Sequence, residues 1–415
     1  MPDPKPIDWV ANQRAAAIDF SAALAELFPP GTFNQARSFH CSLPAYRPSP
    51  LKNLARLAAM IGVGGIWVKD ESARLSLNSF KVLGGSFAIY RHIKARLGAE
   101  GRQLGFEDLT ADAVRPTLGN ITFAAATDGN HGRGVAWSAT QLGYRSVIYV
   151  HKLTSQNRIA AIERNGAEVV VVDGTYDDAV RRVSEDAEKN GWQVISDTSW
   201  PGYEDIPLWV MQGYTTMLAE AQEQFAAQGI LRPTHVLVQA GVGSLAAATL
   251  GYYASIFGPD RPHTAVVEPI EAACLFRSAQ IGDGRPHHVE GDLDTIMAGL
   301  ACGEPNPIAW RILWDCADVF MQCPDYVAAK GMRVYGVPLA GDPFIVSGES
   351  GAVTLGALLF AMERPEYADL RDLLGLNRES QVLLINSEGN TDPDEFRRVV
   401  WEGGNPVPDR YKHYQ

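Results

Sequence analysis

Ile121-Thr122-Phe123-Ala124-Ala125-Ala126-Thr127-Asp128-Gly129-Asn130-His131-Gly132-Arg133-Gly134-Val135-Ala136 changes character half-way along. Its first seven residues are an apolar run of strand length; from Gly132 the pattern turns helical and continues through 142. The exchange repeats downstream, with buried-strand runs expected at 146–150, 168–172 and 193–196 and helical stretches at 155–165 and 177–190 between them. Turn residues mark the joints, at Gly143-Tyr144, Asn165-Gly166, Asp173-Gly174 and Asn190-Gly191. A second series places strands at 235–239, 264–267 and 382–386. Alternating strand and helix calls for parallel sheets covered on both faces. The helical stretch 207–228 separates the two series, so two α/β units are expected.

In open sheets of this kind, ligands sit off the carboxyl ends of the strands. Three loops fall at such ends: 127–134, 240–245 and 387–392. The first opens a helix, where glycines let the backbone approach a ligand and the helix N-terminus offers amide donors to a carboxylate. Thr127, Asp128, Gly129, Asn130 and His131 are its candidate contacts; a polar turn capped by Asp128 is the structural alternative. The second, Gly241, Val242, Gly243, Ser244 and Leu245, joins a strand to a helix, and its amides, its hydroxyl and the helix dipole suit an anion. It also fits G-x-G-x-x-A, and Glu268 ends the next strand near where a ribose-binding acid belongs, so a nicotinamide oxidoreductase competes.

Upstream, Leu77-Asn78-Ser79-Phe80-Lys81-Val82-Leu83-Gly84-Gly85 sets a lysine among apolar residues and glycines. Apolar surroundings disfavour an ammonium, and a free amine attacks carbonyls. The plainer reading is a stem lying along the core with its head in water. A lysine of this kind far upstream of a single phosphate site fits a phosphorylated aldehyde cofactor better than a dinucleotide.

Taken together, these segments resemble the fold-type II pyridoxal-phosphate enzymes, the group of serine and threonine dehydratases, threonine synthase and tryptophan synthase β. Ser79-Phe80-Lys81 is similar to their lysine motif, Gly129-Asn130-His131 to their asparagine loop, and 241–245 to their phosphate loop. The branch most similar is that of ammonia-lyases acting on 2,3-diaminopropionate. Thr295-Ile296-Met297-Ala298-Gly299-Leu300-Ala301-Cys302-Gly303-Glu304-Pro305 and Ser347-Gly348-Glu349-Ser350-Gly351-Ala352 add to that likeness. Leu83-Gly84 where dehydratases have Arg-Gly, and Asp128 where they tend to have serine, weigh against plain dehydration of serine or threonine; a lyase of the serine/threonine dehydratase type acting on another β-substituted alanine is the alternative reading.

The resemblance implies two open, mostly parallel α/β domains with the active site in the cleft between them. The large domain is expected to comprise 1–83 and 217–415, and the small one 84–216. Pyridoxal 5'-phosphate is expected on Lys81 as a Schiff base, with Asn130, Gly241, Val242, Gly243, Ser244, Leu245 and Ser387 as further cofactor contacts. Ser387 is expected at the pyridine nitrogen, with Thr391 as the alternative. Thr127, Asp128, Gly129 and His131 are expected to bind substrate, with Lys81, Asp128 and Asp197 as catalytic groups. His131 reads from its position as a turn-packing residue rather than a catalyst, and the role of Glu349 stays open. The reaction implied is α,β-elimination of 2,3-diaminopropionate, both enantiomers, to pyruvate and two ammonia.

Composition is compatible with this. The 415 residues carry a formal charge of −12 and are 46% hydrophobic, an ordinary globular composition that disfavours nucleic acid and anionic membrane as partners. No run approaches a membrane span, and no secretory signal is visible, so a cytoplasmic enzyme is expected. The five cysteines form no metal-like cluster with histidine, and neither a bound metal nor a disulfide framework is expected. A homodimer is what the family implies.

Overall fold

The computed structural model describes residues 4–15, 20–99, 102–127, 129–152, 154–174 and 176–412. Among these, the strands in chain order are β1 (Asp8–Ala11), β2 (Leu51–Asn53), β3 (Gly65–Asp70), β4 (Thr122–Ala126), β5 (Arg145–His151), β6 (Glu168–Val172), β7 (Gln193–Val194), β8 (His235–Gln239), β9 (His263–Pro269), β10 (Val319–Cys323) and β11 (Gln381–Asn386). Every strand expected from the apolar runs is present, within a residue or two at its ends. Four others, β1, β2, β3 and β10, are additional to those expected.

The chain divides into two compact units, Met1–Phe28 with Ser49–Ala73 and Met217–Gln415, and Pro29–Pro48 with Arg74–Thr216. The boundary at Met217 falls within the helix Asp205–Ala227. Residues 29–48 and 74–83, which the resemblance assigns to the larger domain, belong to the smaller unit. The reason is aromatic packing: Phe39 stacks on Tyr90 with ring centroids 4.5 Å apart, and His40 bonds Thr216 at 2.6 Å.

The larger unit is built on a seven-stranded sheet in the order β1-β10-β9-β8-β11-β3-β2. Its five inner strands are parallel, and the two edge strands, β1 and β2, pair antiparallel. Inner strands such as β8 and β3 are buried along their whole length, as parallel strands covered on both faces must be. β3 buries even Lys69: its ammonium meets Glu220 at 2.7 Å, Gln224 at 3.0 Å and the Ser49 carbonyl at 2.6 Å. A buried charge persists only with such partners.

The smaller unit holds a four-stranded, wholly parallel sheet in the order β6-β5-β4-β7. Ala124, Ala126, Val147 and Tyr149 pack there against Ala179 and Val183 of the helix Tyr176–Asn190. The small alanines of β4 leave room for close helix packing on the sheet. No helix among the described residues is long and apolar enough to cross a membrane.

Candidate active site

In the smaller unit, Lys81 is the first residue of the helix Lys81–Arg96. The backbone leading to it is strained: Leu75, Ser76 and Asn78 all adopt positive φ, at 49°, 61° and 54°. Non-glycine residues hold that conformation only where packing over-determines it, and such strain concentrates at functional sites. Phe80, just before the lysine, packs on Tyr214 with centroids 4.7 Å apart. The Lys81 helix also lies tight against the helix Asn130–Gln141. A Cβ at Gly134 would come within 2.9 Å of Val82 Cα, so glycine is required at that approach. Arg133 ties the two segments further by donating to the Leu77 carbonyl.

Asp197 reaches the same place from the turn after β7. That turn is anchored by Ile195, whose N–H donates to the Ala124 carbonyl at 2.8 Å, and by the Tyr203 hydroxyl, which bridges the Val194 carbonyl and the Ser196 amide. Lys81 Nζ donates to Asp197 Oδ2 at 2.5 Å. Burial alone would raise the Asp197 carboxyl, but the Lys81 charge, with His131 and the Lys81 hydrogen bond, holds it well below the usual carboxylate range.

His131 completes the group. Its Nε2 donates to the Ile195 carbonyl at 2.8 Å, so that nitrogen carries a proton, and its Nδ1 lies 4.0 Å from Asp197 Oδ2 with no hydrogen-bond partner. The packing role expected of His131 is therefore present, and so is a ring nitrogen facing the carboxylate. The buried Tyr214 hydroxyl also lacks a partner. Lysine, carboxylate and imidazole together form a proton-holding cluster.

The loop before the Asn130 helix is organised by Thr127, whose hydroxyl accepts from the amides of Gly129 at 2.9 Å and Gly132 at 3.1 Å. Asn130 accepts from Arg133 through Oδ1 at 3.2 Å, which turns its amide nitrogen away from that contact. Asp128, expected as a catalytic and substrate-binding group, lies outside the described residues.

In the larger unit, the loop 241–245 links β8 to the helix Ser244–Phe257. Gly243 caps that helix at φ 101°, a conformation suited to glycine. The amides of Gly241, Val242, Gly243 and Leu245 meet no acceptor among the described residues, while Asn306 supports the loop from behind. The Asn306 amide N–H donates to the Val242 carbonyl at 2.8 Å, and its side chain donates to Ser244 Oγ at 3.3 Å. Orphan amides at a helix N-terminus beside a hydroxyl suit a phosphate monoester, so this loop fits the cofactor's phosphate.

Glu268 does not serve as a ribose-binding acid. Its two carboxylate oxygens accept from the amides of Leu275, at 2.9 Å, and Phe276, at 2.6 Å, capping the helix Cys274–Ile281. Burial pushes its pKa up to about 8 against those hydrogen bonds. A fully buried, committed carboxyl has nothing to offer a dinucleotide, and the oxidoreductase reading loses its acid.

Ser387 directly follows β11 and is buried; Gln239, the last residue of β8, donates to its hydroxyl at 2.8 Å. Thr391 donates to Glu388 at 3.3 Å, which commits its proton, and Glu349 is buried at the start of the helix Glu349–Glu363. Gln239 and Asn306 were not singled out from sequence. The signals were present, as a polar amide ending an apolar strand and an asparagine set between two prolines, but what each amide touches is not local information.

Comparison with known proteins agrees with this geometry. Residues 43–387 match the family described as pyridoxal-phosphate dependent enzymes. The chain belongs to that family. Within it, diaminopropionate ammonia-lyase of Escherichia coli strain K12 is 48% identical over 94% of this chain and 96% of its own length. The enzyme of the same name from Salmonella typhimurium is 44% identical over 96% of this chain and 98% of its own. The crystal structure of the Escherichia coli enzyme in complex with D-serine superposes with a TM-score of 0.87 at 46% identity, covering 97% of this chain and 98% of that one. The structure of that enzyme with an aminoacrylate-PLP azomethine reaction intermediate gives 0.85 at 45% identity, covering 96% and 98%.

Proposed function

We propose that this family member eliminates ammonia from 2,3-diaminopropionate, that water hydrolyses the aminoacrylate so formed to pyruvate and a second ammonia, and that pyridoxal phosphate is attached to Lys81. The observation that carries the reading is 48% identity, over nearly the whole of both chains, to an enzyme of that activity. The Lys81–Asp197 pair and the phosphate-compatible loop support it. When bound, the cofactor supplies an electron sink for negative charge at the substrate's Cα, which lets the β-amino group leave.

The chain's own residues do the rest. Lys81 would hold the cofactor through its amine, and the free amine moves the Cα proton on its face. Asp197 orients the Lys81 amine and keeps a negative charge beside it. Asp128 takes the Cα proton from the opposite face, so both enantiomers react. Gly241, Val242, Gly243, Ser244 and Leu245 would bind the phosphate, Asn130 would donate to the ring oxygen, and Ser387 would meet the pyridine nitrogen. Thr127, Gly129 and His131 line the substrate. The same reading makes the protein a cytoplasmic homodimer; light scattering of the purified holoenzyme checks the dimer.

Two measurements test the proposal. Borohydride treatment of the yellow protein should fix the cofactor on the peptide containing Lys81. Pyruvate release should be faster, in kcat/KM, from 2,3-diaminopropionate than from D- or L-serine. A preference for serine would move the protein to the dehydratase side, and a colourless protein with no borohydride adduct would end the reading altogether.

A further inference from the structure

The hydroxyl of Ser387 has its direction set by a neighbour that is 148 residues away in the chain. Gln239 Nε2 donates to the Ile385 carbonyl at 2.9 Å and to Ser387 Oγ at 2.8 Å. The first contact settles which end of the amide is which. A carbonyl oxygen only accepts, so the atom facing Ile385 is the NH2 group. Its two hydrogens are then both used, one on Ile385 and one on Ser387. Gln239 is fully buried, and its Oε1 has no partner. Nothing competes to rotate the amide, because turning it over would set Oε1 against the Ile385 carbonyl.

Ser387 Oγ therefore accepts from Gln239, and its own proton has no acceptor among the described residues. One lone pair of Ser387 is left over, but its buried proton has no other acceptor among those residues, so the hydroxyl is satisfied by donating to whatever lies beyond it. An unprotonated pyridine nitrogen is an acceptor and matches; a pyridinium N–H is a donor and needs one of the lone pairs of Ser387 instead. We propose that Gln239 is a positioning residue which fixes Ser387 as a hydrogen-bond donor to the cofactor's pyridine nitrogen and so keeps that nitrogen unprotonated. This rests on the assignment of Ser387 to the pyridine nitrogen made above. Its consequence is a weaker electron sink, suited to an elimination in which the β-leaving group departs quickly and a long-lived carbanion is not needed.

The test uses holoenzyme reconstituted with cofactor labelled with 15N in the ring, and reads the nitrogen resonance by NMR. In Gln239→Glu the buried carboxyl, kept protonated by burial, places its hydroxyl oxygen where Nε2 stood, so that its O–H donates to the Ile385 carbonyl and the same oxygen accepts from Ser387. The Ser387 proton is then spent on residue 239, and its lone pairs face the ring. The resonance is expected at the neutral-pyridine position in the native enzyme and displaced toward the pyridinium position in Gln239→Glu. Gln239→Met, which removes the donor without charge, should give an intermediate displacement and keeps the proposal testable if the first variant fails to fold. Ser387→Ala separates the two layers of the argument. If Ser387→Ala moves the resonance and both Gln239 variants leave it at the native position, the orienting role is overturned and the Ser387 contact stands. If Ser387→Ala leaves the resonance unmoved, the contact itself is wrong and the proposal falls with it. A purely structural role for Gln239 would lower stability without moving the resonance.

Discussion

Lys81 Nζ lies 2.5 Å from Asp197 Oδ2, although 116 residues separate them in the chain. The lysine sits at the start of a helix and the aspartate in a turn after β7, and both belong to the smaller unit. The pair needs the whole of that unit to be folded.

Asp197→Asn should therefore retain cofactor colour while kcat/KM falls by roughly 10²–10⁴-fold, the usual range for losing a group that manages a proton. Protein stripped of cofactor should also show a pH signature. The folded Asp197 carboxyl is depressed, because the Lys81 and His131 charges and the Lys81 hydrogen bond outweigh burial. Its contribution is complete above the ordinary carboxylate value of about 4 and is lost on acidification below it. The stability gap between the native protein and Asp197→Asn should hold steady from pH 7 to about pH 5 and close below that. A gap that widens in acid contradicts the pairing.

Glu268 gives the opposite sign. Burial raises its pKa to about 8, against about 4.3 in an unfolded chain. Between those values the folded protein holds a proton that the unfolded chain has released, so stability falls as pH rises, by up to about 1.4 kcal/mol per pH unit. Glu268→Gln should remove that slope at a cost of about 1 kcal/mol from the weakened helix cap. Urea unfolding at a series of pH values from 5 to 8 measures both; parallel curves for the two proteins contradict it.

Lys69 and Glu220 form a fully buried pair. Lys69→Met should cost about 3–5 kcal/mol, because Glu220 is left as an uncompensated buried charge. Adding Glu220→Leu should recover most of the loss, since a hydrophobic replacement of the whole pair is often nearly neutral. Chemical unfolding of the two variants checks this, and a double variant no more stable than the single one would refute it.

Asp128→Asn tests the proposed base on the face opposite Lys81. The variant should keep its cofactor and lose more activity on D- than on L-2,3-diaminopropionate, by a margin within the ~10²–10⁴-fold of general base catalysis. Equal losses with a raised KM for both enantiomers would make Asp128 a binding residue instead.

Much of the architecture could be read locally. β8 coincides with its apolar run, because a strand buried on both faces must be continuously apolar and must stop at a turn residue, and β6, though it lies at a sheet edge and is partly exposed, keeps the same apolar run ended by Asp173-Gly174. The strands that escaped are those whose burial depends on distant partners. β3 ends in Lys69-Asp70, and the lysine is tolerable there only because Glu220, 151 residues on, neutralises it. β10, also not among the expected strands, takes its place in the sheet between β9 and β1. Likewise, nothing near residues 29–48 says that Phe39 will stack on Tyr90 and carry that segment into the smaller unit.

The site divides along the same line. The lysine motif, the glycine loops and the strand ends on which they sit were legible, because helix starts, tight turns and anion-binding amides are properties of short segments. The functional geometry was not. β8 lies beside β11 in the sheet, so Gln239 reaches Ser387 across a sequence separation of 148 residues. Asp197 likewise reaches Lys81, and Glu268 is spent on a helix cap instead of a ligand. Which strand neighbours which is decided by packing the whole unit, and the direction of a single hydroxyl proton follows only from that order.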